Sequence, residues 1–196
     1  GMYWALHGGF VNYKRTWGMN LDYRSLSVTT DGVRGYSPKS DLLTRRTRLS
    51  ATFDYFGLWK GILFKLGYSM WGRNGTETRD KVLTSHYTAH GLTAGLGYRA
   101  NLLSQDKLVL TTLFLIDQPF KYSEKTAATG DSFDGMRAYE FNIRLRWQPW
   151  RKVGFELTPY ARYEVANHIG RGMRGSVDAK EEDISFAVPV GVFYQF

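Results

Sequence analysis

Side chains able to do acid–base or metal chemistry near neutral pH are scarce in this sequence. There are four histidines, His7, His86, His90 and His168, and imidazole is the group whose ordinary titration falls in that range. His86 and His90 share the parity of one strand face, but four residues of extended chain separate them by about 13 Å. They cannot hold one metal ion. Ser85 and His86 are adjacent and face opposite sides of a strand, so they form no Ser–His pair. His86-Tyr87-Thr88 has the i, i+2 spacing of a base and a hydroxyl, but threonine is a poor substitute for serine there. The chain has no cysteine, which excludes disulfides, thiolate metal sites and cysteine nucleophiles. The run Gly170-Arg171-Gly172-Met173-Arg174-Gly175 has no strand–helix context and so makes no phosphate cradle. The residue types point to no metal, no cofactor and no catalytic side chain. The histidines read as interfacial or loop residues.

The remaining chemistry is charge. Lys and Arg number 26 against 18 Asp and Glu, a formal net charge of +8. No basic run exceeds Arg45-Arg46, and carboxylates interleave with the cations, so nucleic acid is not the expected partner. Arg24, Arg46, Arg48, Lys65, Arg99, Arg144, Arg146 and Arg162 all fall on one class of strand face. Asp22, Asp54, Glu140, Glu156 and Glu164 share it.

Those faces exist because the dominant pattern in the chain has period two. Residues 17–24 alternate Trp17, Met19, Leu21 and Tyr23 with Gly18, Asn20, Asp22 and Arg24. Leu49, Ala51, Phe53 and Tyr55 oppose Arg46, Arg48, Ser50, Thr52 and Asp54. The same alternation recurs over 62–70, 92–98, 139–147, 153–165 and 184–196, and such alternation is the signature of a strand with one apolar face. Residues 107–117 are apolar on both faces, a strand without an assigned interior. The pattern predicts eight strands in one domain over 1–196. Residues 1–15 read as an N-terminal extension or an extra strand, and a ten-stranded arrangement is the alternative. Pro159 and Pro189 sit inside strand patterns, where each removes a ladder hydrogen bond that a bulge would have to absorb.

Short connections near Phe56–Lys60, Asn101–Asp106 and Gln148–Lys152 alternate with long polar ones near Thr29–Asp41, Gly72–Lys81, Gln118–Gly135 and Asn167–Asp183. No run approaches the roughly 20 apolar residues of a spanning helix, and the first residues show no charged segment leading into an apolar one. Two closed architectures fit. A soluble lipid-carrying barrel turns the aliphatic face inward, and a membrane barrel turns it outward. Aromatic residues gather at strand ends: Trp17, Tyr55, Trp59, Tyr98, Trp147, Trp150, Tyr194 and Phe196 at the short-turn end, with Tyr68, Trp71, Tyr139 and Tyr163 towards the other. Two aromatic girdles around an aliphatic band are what a bilayer imposes. The polar face of the last strand also carries no charge between Ser185 and Gln195, unlike a face in water. The expected fold is an all-β antiparallel transmembrane barrel with short periplasmic turns and long extracellular loops.

The ending Val190-Gly191-Val192-Phe193-Tyr194-Gln195-Phe196 resembles the C-terminal signature of bacterial outer-membrane β-barrel proteins. With the strand rhythm, the chain is similar to their eight-stranded group. The resemblance implies a Gram-negative cell outer membrane as the location. It also implies that Val192, Tyr194 and Phe196 form the signal read by the barrel assembly machinery, and that outer-membrane lipids and lipopolysaccharide are partners. Arg73, Arg79, Lys81, Lys121, Arg137, Arg171 and Arg174 are candidates for contact with lipopolysaccharide phosphates.

The interior then has two readings. In a barrel of eight strands side chains nearly fill the lumen, and buried charges must be paired there. The lumen face carries more cations than acids, so the same residues also suit a narrow anion-preferring channel for a small anionic solute, similar to Arg-lined porins. The expected protein is non-enzymatic, with surface loops for interaction. The alternative is an outer-leaflet enzyme modifying lipid A or phospholipid around His168 or His86 and His90. Lipid A deacylases carry a His-x-Ser pattern near the outer end of a strand, and Asn167-His168-Ile169-Gly170 lacks that serine.

Overall fold

A computed structural model of the chain describes residues 1–12, 14–30, 41–56, 61–77, 83–124, 132–169 and 180–195. Eleven strands form one antiparallel sheet. They are β1 (Met2–Val11), β2 (Trp17–Thr30), β3 (Leu42–Tyr55), β4 (Ile62–Glu77), β5 (Leu83–Asn101), β6 (Leu108–Glu124), β7 (Ser132–Trp147), β8 (Val153–Leu157), β9 (Tyr160–Ile169), β10 (Lys180–Ala187) and β11 (Val190–Tyr194). Strands β1 to β7 pair in chain order; β8 and β9 both pair with β7, β11 with β8, and β10 with β9.

The expectation of eight strands needs correcting. The sheet has nine passes of chain, because β8 with β9 and β10 with β11 are each one pass broken at a proline. Residues 2–11 are a full strand, paired with β2 from Met2↔Ser27 to Val11↔Gly18. The breaks at Pro159 and Pro189 involve no bulge. Ala187 faces Tyr160 and Val190 faces Leu157, so one register runs through both breaks. The Thr158 amide donates to the Pro189 carbonyl at 2.9 Å, and the Ile143 amide to the Pro159 carbonyl at 3.0 Å. Each proline interrupts the ladder without redirecting the chain.

Strands also run further than the polar composition suggested. Much of 72–81 and 118–135 is strand, with β4 reaching Glu77 and β6 reaching Glu124. In β6 the register to β5 shifts between Gly91↔Pro119 and His90↔Lys121, which leaves Phe120 as an extra residue. That bulge turns Tyr122 towards the interior, where it stacks on Tyr87 with centroids 5.6 Å apart. A proline beside a bulge is its normal place in a sheet. Gly91 permits it, since a Cβ there would lie 2.1 Å from the Gln118 carbonyl oxygen.

At the short-turn end Asn12 fastens the β1–β2 turn. Its side-chain oxygen accepts from the amides of Thr16 at 2.7 Å and Trp17 at 3.1 Å, the local bonding that suits asparagine to turns. Arg15 in this turn pairs with Asp106 in the β5–β6 connection. Both have positive φ, 54° and 56°.

The sheet curls into a half-barrel. Adjacent strands lie about 4.8 Å apart, so strands five places apart in a flat sheet would be ~24 Å apart. Yet Arg24 of β2 bonds Glu140 of β7 at 2.7 Å, and Tyr3 of β1 lies 5.8 Å from the Tyr160 ring of β9. Only curling brings those faces together. No ladder joins β1 to β10 or β11 among the described residues.

Faces follow the alternation. Leu21, Leu49, Phe53, Leu66, Leu92, Leu96, Phe114, Phe141, Ile184 and Phe186 are exposed on the convex side. Gly18, Ser50, Thr52, Ser69, Thr93, Asn142 and Ser185 are buried on the concave side. Strand β6 acquires an interior face made of Val109, Leu113, Leu115 and Asp117. Trp71, expected in the girdle, is instead buried on the concave side with Tyr87, Ala89, Met136 and Ala166. It shares the parity of Lys65 and Ser69, and parity decides.

Candidate functional site: the ion-paired interior

The concave side carries paired charges at three levels. At the short-turn end Lys65 of β4 pairs with Asp54 of β3 and donates to Thr52 Oγ1 at 3.0 Å. Asn20 Nδ2 reaches the other Asp54 oxygen at 2.8 Å. Across the sheet, the Glu156 carboxylate of β8 is ion-paired with Arg146 Nε at 3.0 Å and Arg144 Nε at 3.4 Å. Arg146 also lies over the Phe193 ring, 4.3 Å from its centroid. Arg99 of β5 packs over Phe56 at 5.9 Å.

The middle level is the most enclosed. Asp117 of β6 is fully buried. It accepts from Arg48 Nε at 3.1 Å, Arg48 Nη2 at 3.0 Å, Arg162 Nη1 at 2.6 Å and Ser69 Oγ at 3.1 Å. Glu140, 1% exposed, accepts from Arg24 Nη1 at 2.7 Å and Asn142 Nδ2 at 3.1 Å. Arg162 Nε donates to Glu164 at 2.6 Å, and Tyr87 OH donates to the same carboxylate. Arg24 Nε also donates to Asp22 at 2.7 Å, and His7 contacts that carboxylate at 3.2 Å. Arg48 and Arg162 have planar forks, and each spreads its donors over several acceptors, the geometry for which guanidinium is suited.

Towards the other end, Arg46 of β3 grips Asp183 of β10 through two nitrogens, and Arg73 lies 3.5 Å from the same carboxylate. Arg73 is therefore an interior residue and not a loop contact. Arg79, Lys81, Arg171 and Arg174 lie outside the described residues.

The thirteen charged residues that the sequence places on one face (Arg24, Arg46, Arg48, Lys65, Arg99, Arg144, Arg146 and Arg162, with Asp22, Asp54, Glu140, Glu156 and Glu164) all have their side chains on the concave face, in the contacts just given. Sequence reading missed Asp117 and Asp183. Asp183 shares the parity of Ser185, a signal that was available. Asp117 sits at the end of a stretch apolar on both faces, where alternation is silent. With Asp117 and Asp183 among the acids and Arg73 among the cations, the interior excess of positive charge is smaller than the sequence alone gave.

On the convex face, Phe114, Tyr139 and Tyr163 stack across β6, β7 and β9 with centroids 6.4 Å apart. Phe10, Trp17 and Phe53 form a second aromatic row near the short turns, at 5.6 and 5.9 Å. Val192 and Tyr194 are exposed, while Phe196 and Trp59 lie outside the described residues. His90 faces outward and is bonded to Tyr68 OH. The side chains of His86 and His168 are not among those described. No group of His, Cys, Asp and Glu arranged to hold a metal occurs among the described residues.

The fold and interior define an antiparallel all-β half-barrel filled by paired charges. No protein-family model, curated protein or solved structure matches the chain.

Proposed function

We propose that this is an integral β-barrel protein of a Gram-negative outer membrane, its interior closed by ion pairs, with surface loops as the interacting part. The observation that carries the reading is inversion. Large apolar side chains cover the outside, with Leu66 58% and Phe186 79% exposed, while Glu140 and Asp117 are buried. Soluble proteins rarely leave contiguous apolar surface of such extent to water, and a bilayer is the solvent that stabilises it. In that setting the connections at 12–16, 56–61, 102–107 and 148–152 are the periplasmic turns.

Arg48 and Arg162, tied to Asp117 from β3 and β9, favour a plug over an open anion channel, because such contacts cross the space that ions would use. Outer-membrane lipids and lipopolysaccharide are the proposed surroundings. Val192, Tyr194 and Phe196 are the proposed signal to the assembly machinery.

Detergent dependence and heat-modifiable migration on gels test the membrane assignment; a monomer that stays dissolved without detergent overturns it. Planar-bilayer recording tests the plug. The expected result is no unitary conductance, and discrete anion-selective steps would replace the plug by a channel.

A further inference from the structure

Both margins of the sheet lack a ladder partner among the described residues, β1 on one side and β10 with β11 on the other. Their outward residues are barer than those in mid-sheet: Val190 is 77% exposed and Leu49 40%. An added Cβ at Gly8 or Gly191 would meet nothing within 4 Å. A row of unpaired N–H and C=O groups is strongly unfavourable in hydrocarbon. On the membrane assignment, on which this inference rests, the two margins need a partner.

The margins suit each other. Nine passes of an antiparallel sheet give the first and the last the same direction, both towards the short turns. In an antiparallel ladder each residue turns its N–H and C=O to one neighbouring strand, and the next residue turns them to the other. The Asn12 amide donates to the Trp17 carbonyl. Even-numbered residues of β1 therefore bond β2, and Tyr3, Ala5, His7 and Gly9 offer their backbone groups at the margin. The Pro189 carbonyl accepts from Thr158, and the Gln195 amide donates to Lys152. Odd-numbered residues of the last pass thus bond the β8–β9 pass, and Phe186, Val188, Val190 and Val192 offer theirs. Pro189 removes no donor from this margin. The offering residues carry their side chains inward on β1 and outward on the last pass. An antiparallel pairing would set them opposite one another with side chains on opposite faces. In a parallel pairing each bonds the two residues flanking its opposite number, and the faces are kept.

Two contacts draw the margins together. Tyr3 of β1 lies 5.8 Å from the Tyr160 ring of β9, and Arg46 of β3 grips Asp183 of β10. With β1 beside β10, β1 and β9 are two strand spacings apart, about 10 Å, which two facing tyrosines span; an intervening strand makes it about 14 Å. A second copy joined at the margins to make one larger ring would have to pull both contacts apart. We propose that in the membrane β1 pairs in parallel with β10 and β11, closing a nine-stranded barrel at a parallel seam.

The test uses the whole protein folded in phospholipid vesicles, with cysteines placed in a chain that has none. Ala5→Cys is combined in turn with Ala187→Cys, Pro189→Cys and Gly191→Cys, all on the concave face, and with Val190→Cys on the convex face as a control. Neighbouring strands bring Cα atoms within disulfide range. After mild oxidation an intramolecular disulfide is expected in at least one concave pair and not in the control, read as a monomer whose linked peptides are found by mass spectrometry. Disulfides between two chains overturn the proposal in favour of an edge-to-edge dimer. No link in any concave pair of the folded protein also overturns it, and leaves the margins to some other strand. Should the variants fail to fold, NOEs from the Ala5, His7 and Gly9 amides to those of Val188, Val190 and Val192 decide for the unaltered protein in micelles. Their absence, or their occurrence only between differently labelled copies, overturns the seam. Detergent dependence is read on the same samples, so a failed seam in a detergent-dependent protein leaves the membrane reading standing.

Discussion

Asp117 and Arg48 meet through two hydrogen bonds of 3.1 and 3.0 Å although β4 and β5 lie between their strands in the sheet. The contact is made across the interior and not along the surface. It ties the curvature of the sheet to a charge pair, because flattening by a few ångströms per strand would break it. Arg162 joins the same carboxylate from β9, so one acid fastens β3, β6 and β9 together.

Removing that acid should therefore be costly. Asp117→Asn keeps the shape but leaves Arg48 and Arg162 without their shared counter-charge, and breaking one side of a buried pair costs about 3–5 kcal/mol. The expected result is a lower urea midpoint for unfolding from detergent micelles or vesicles. The double variant Arg48→Leu with Asp117→Leu should recover part of the loss, since it removes both charges together. Equal or greater destabilisation in the double variant would show that the pair does not act as a unit.

The convex face predicts the opposite sensitivity to charge. Leu49 pairs with Tyr23 on β2 and Met70 on β4, in mid-strand. Leu49→Arg puts a charge in the middle of the proposed hydrocarbon band, where the cost is about 2–4 kcal/mol. Near the strand ends, Tyr98→Arg should cost far less. Folding yield into phospholipid vesicles, compared for the two variants, checks the difference. A face in water would tolerate both equally.

How legible this was in the sequence depended on parity. Wherever polar and apolar residues alternate, as at Leu49, Ser50, Ala51 and Thr52, the faces were readable residue by residue, and so were the interior arginines apart from Arg73. Trp71 was misplaced when its position near a strand end was weighed and its parity with Ser69 was not. Asp117 was hidden because Leu113, Phe114, Leu115 and Ile116 give no alternation. Partners are a different matter. That Arg46 would find Asp183, or Arg24 find Glu140, depends on how far the sheet curls, and strand patterns hold no information on curvature. The ninth pass was legible as one of two readings of residues 1–15, an extra strand or an extension, but its pairing with β2 was not.

The bulge in β6 carries the last prediction. Phe120 is the extra residue, Pro119 stands next to it, and Gly91 on β5 leaves the space both need. A Cβ at Gly91 would lie 2.1 Å from the Gln118 carbonyl oxygen and 2.5 Å from Pro119 Cα, both backbone atoms that cannot swing aside. Gly91→Ala should thus push β5 and β6 apart at this point, at a cost of about 1–3 kcal/mol. Tyr122 is held inward against Tyr87 by the same bulge, and Tyr87 donates to Glu164. The strain therefore reaches the charged interior. Gly91→Ala should lower the unfolding midpoint and raise amide exchange in β6 from Gln118 to Tyr122. Faster exchange spread evenly over the sheet, with none concentrated at the bulge, would count against this account.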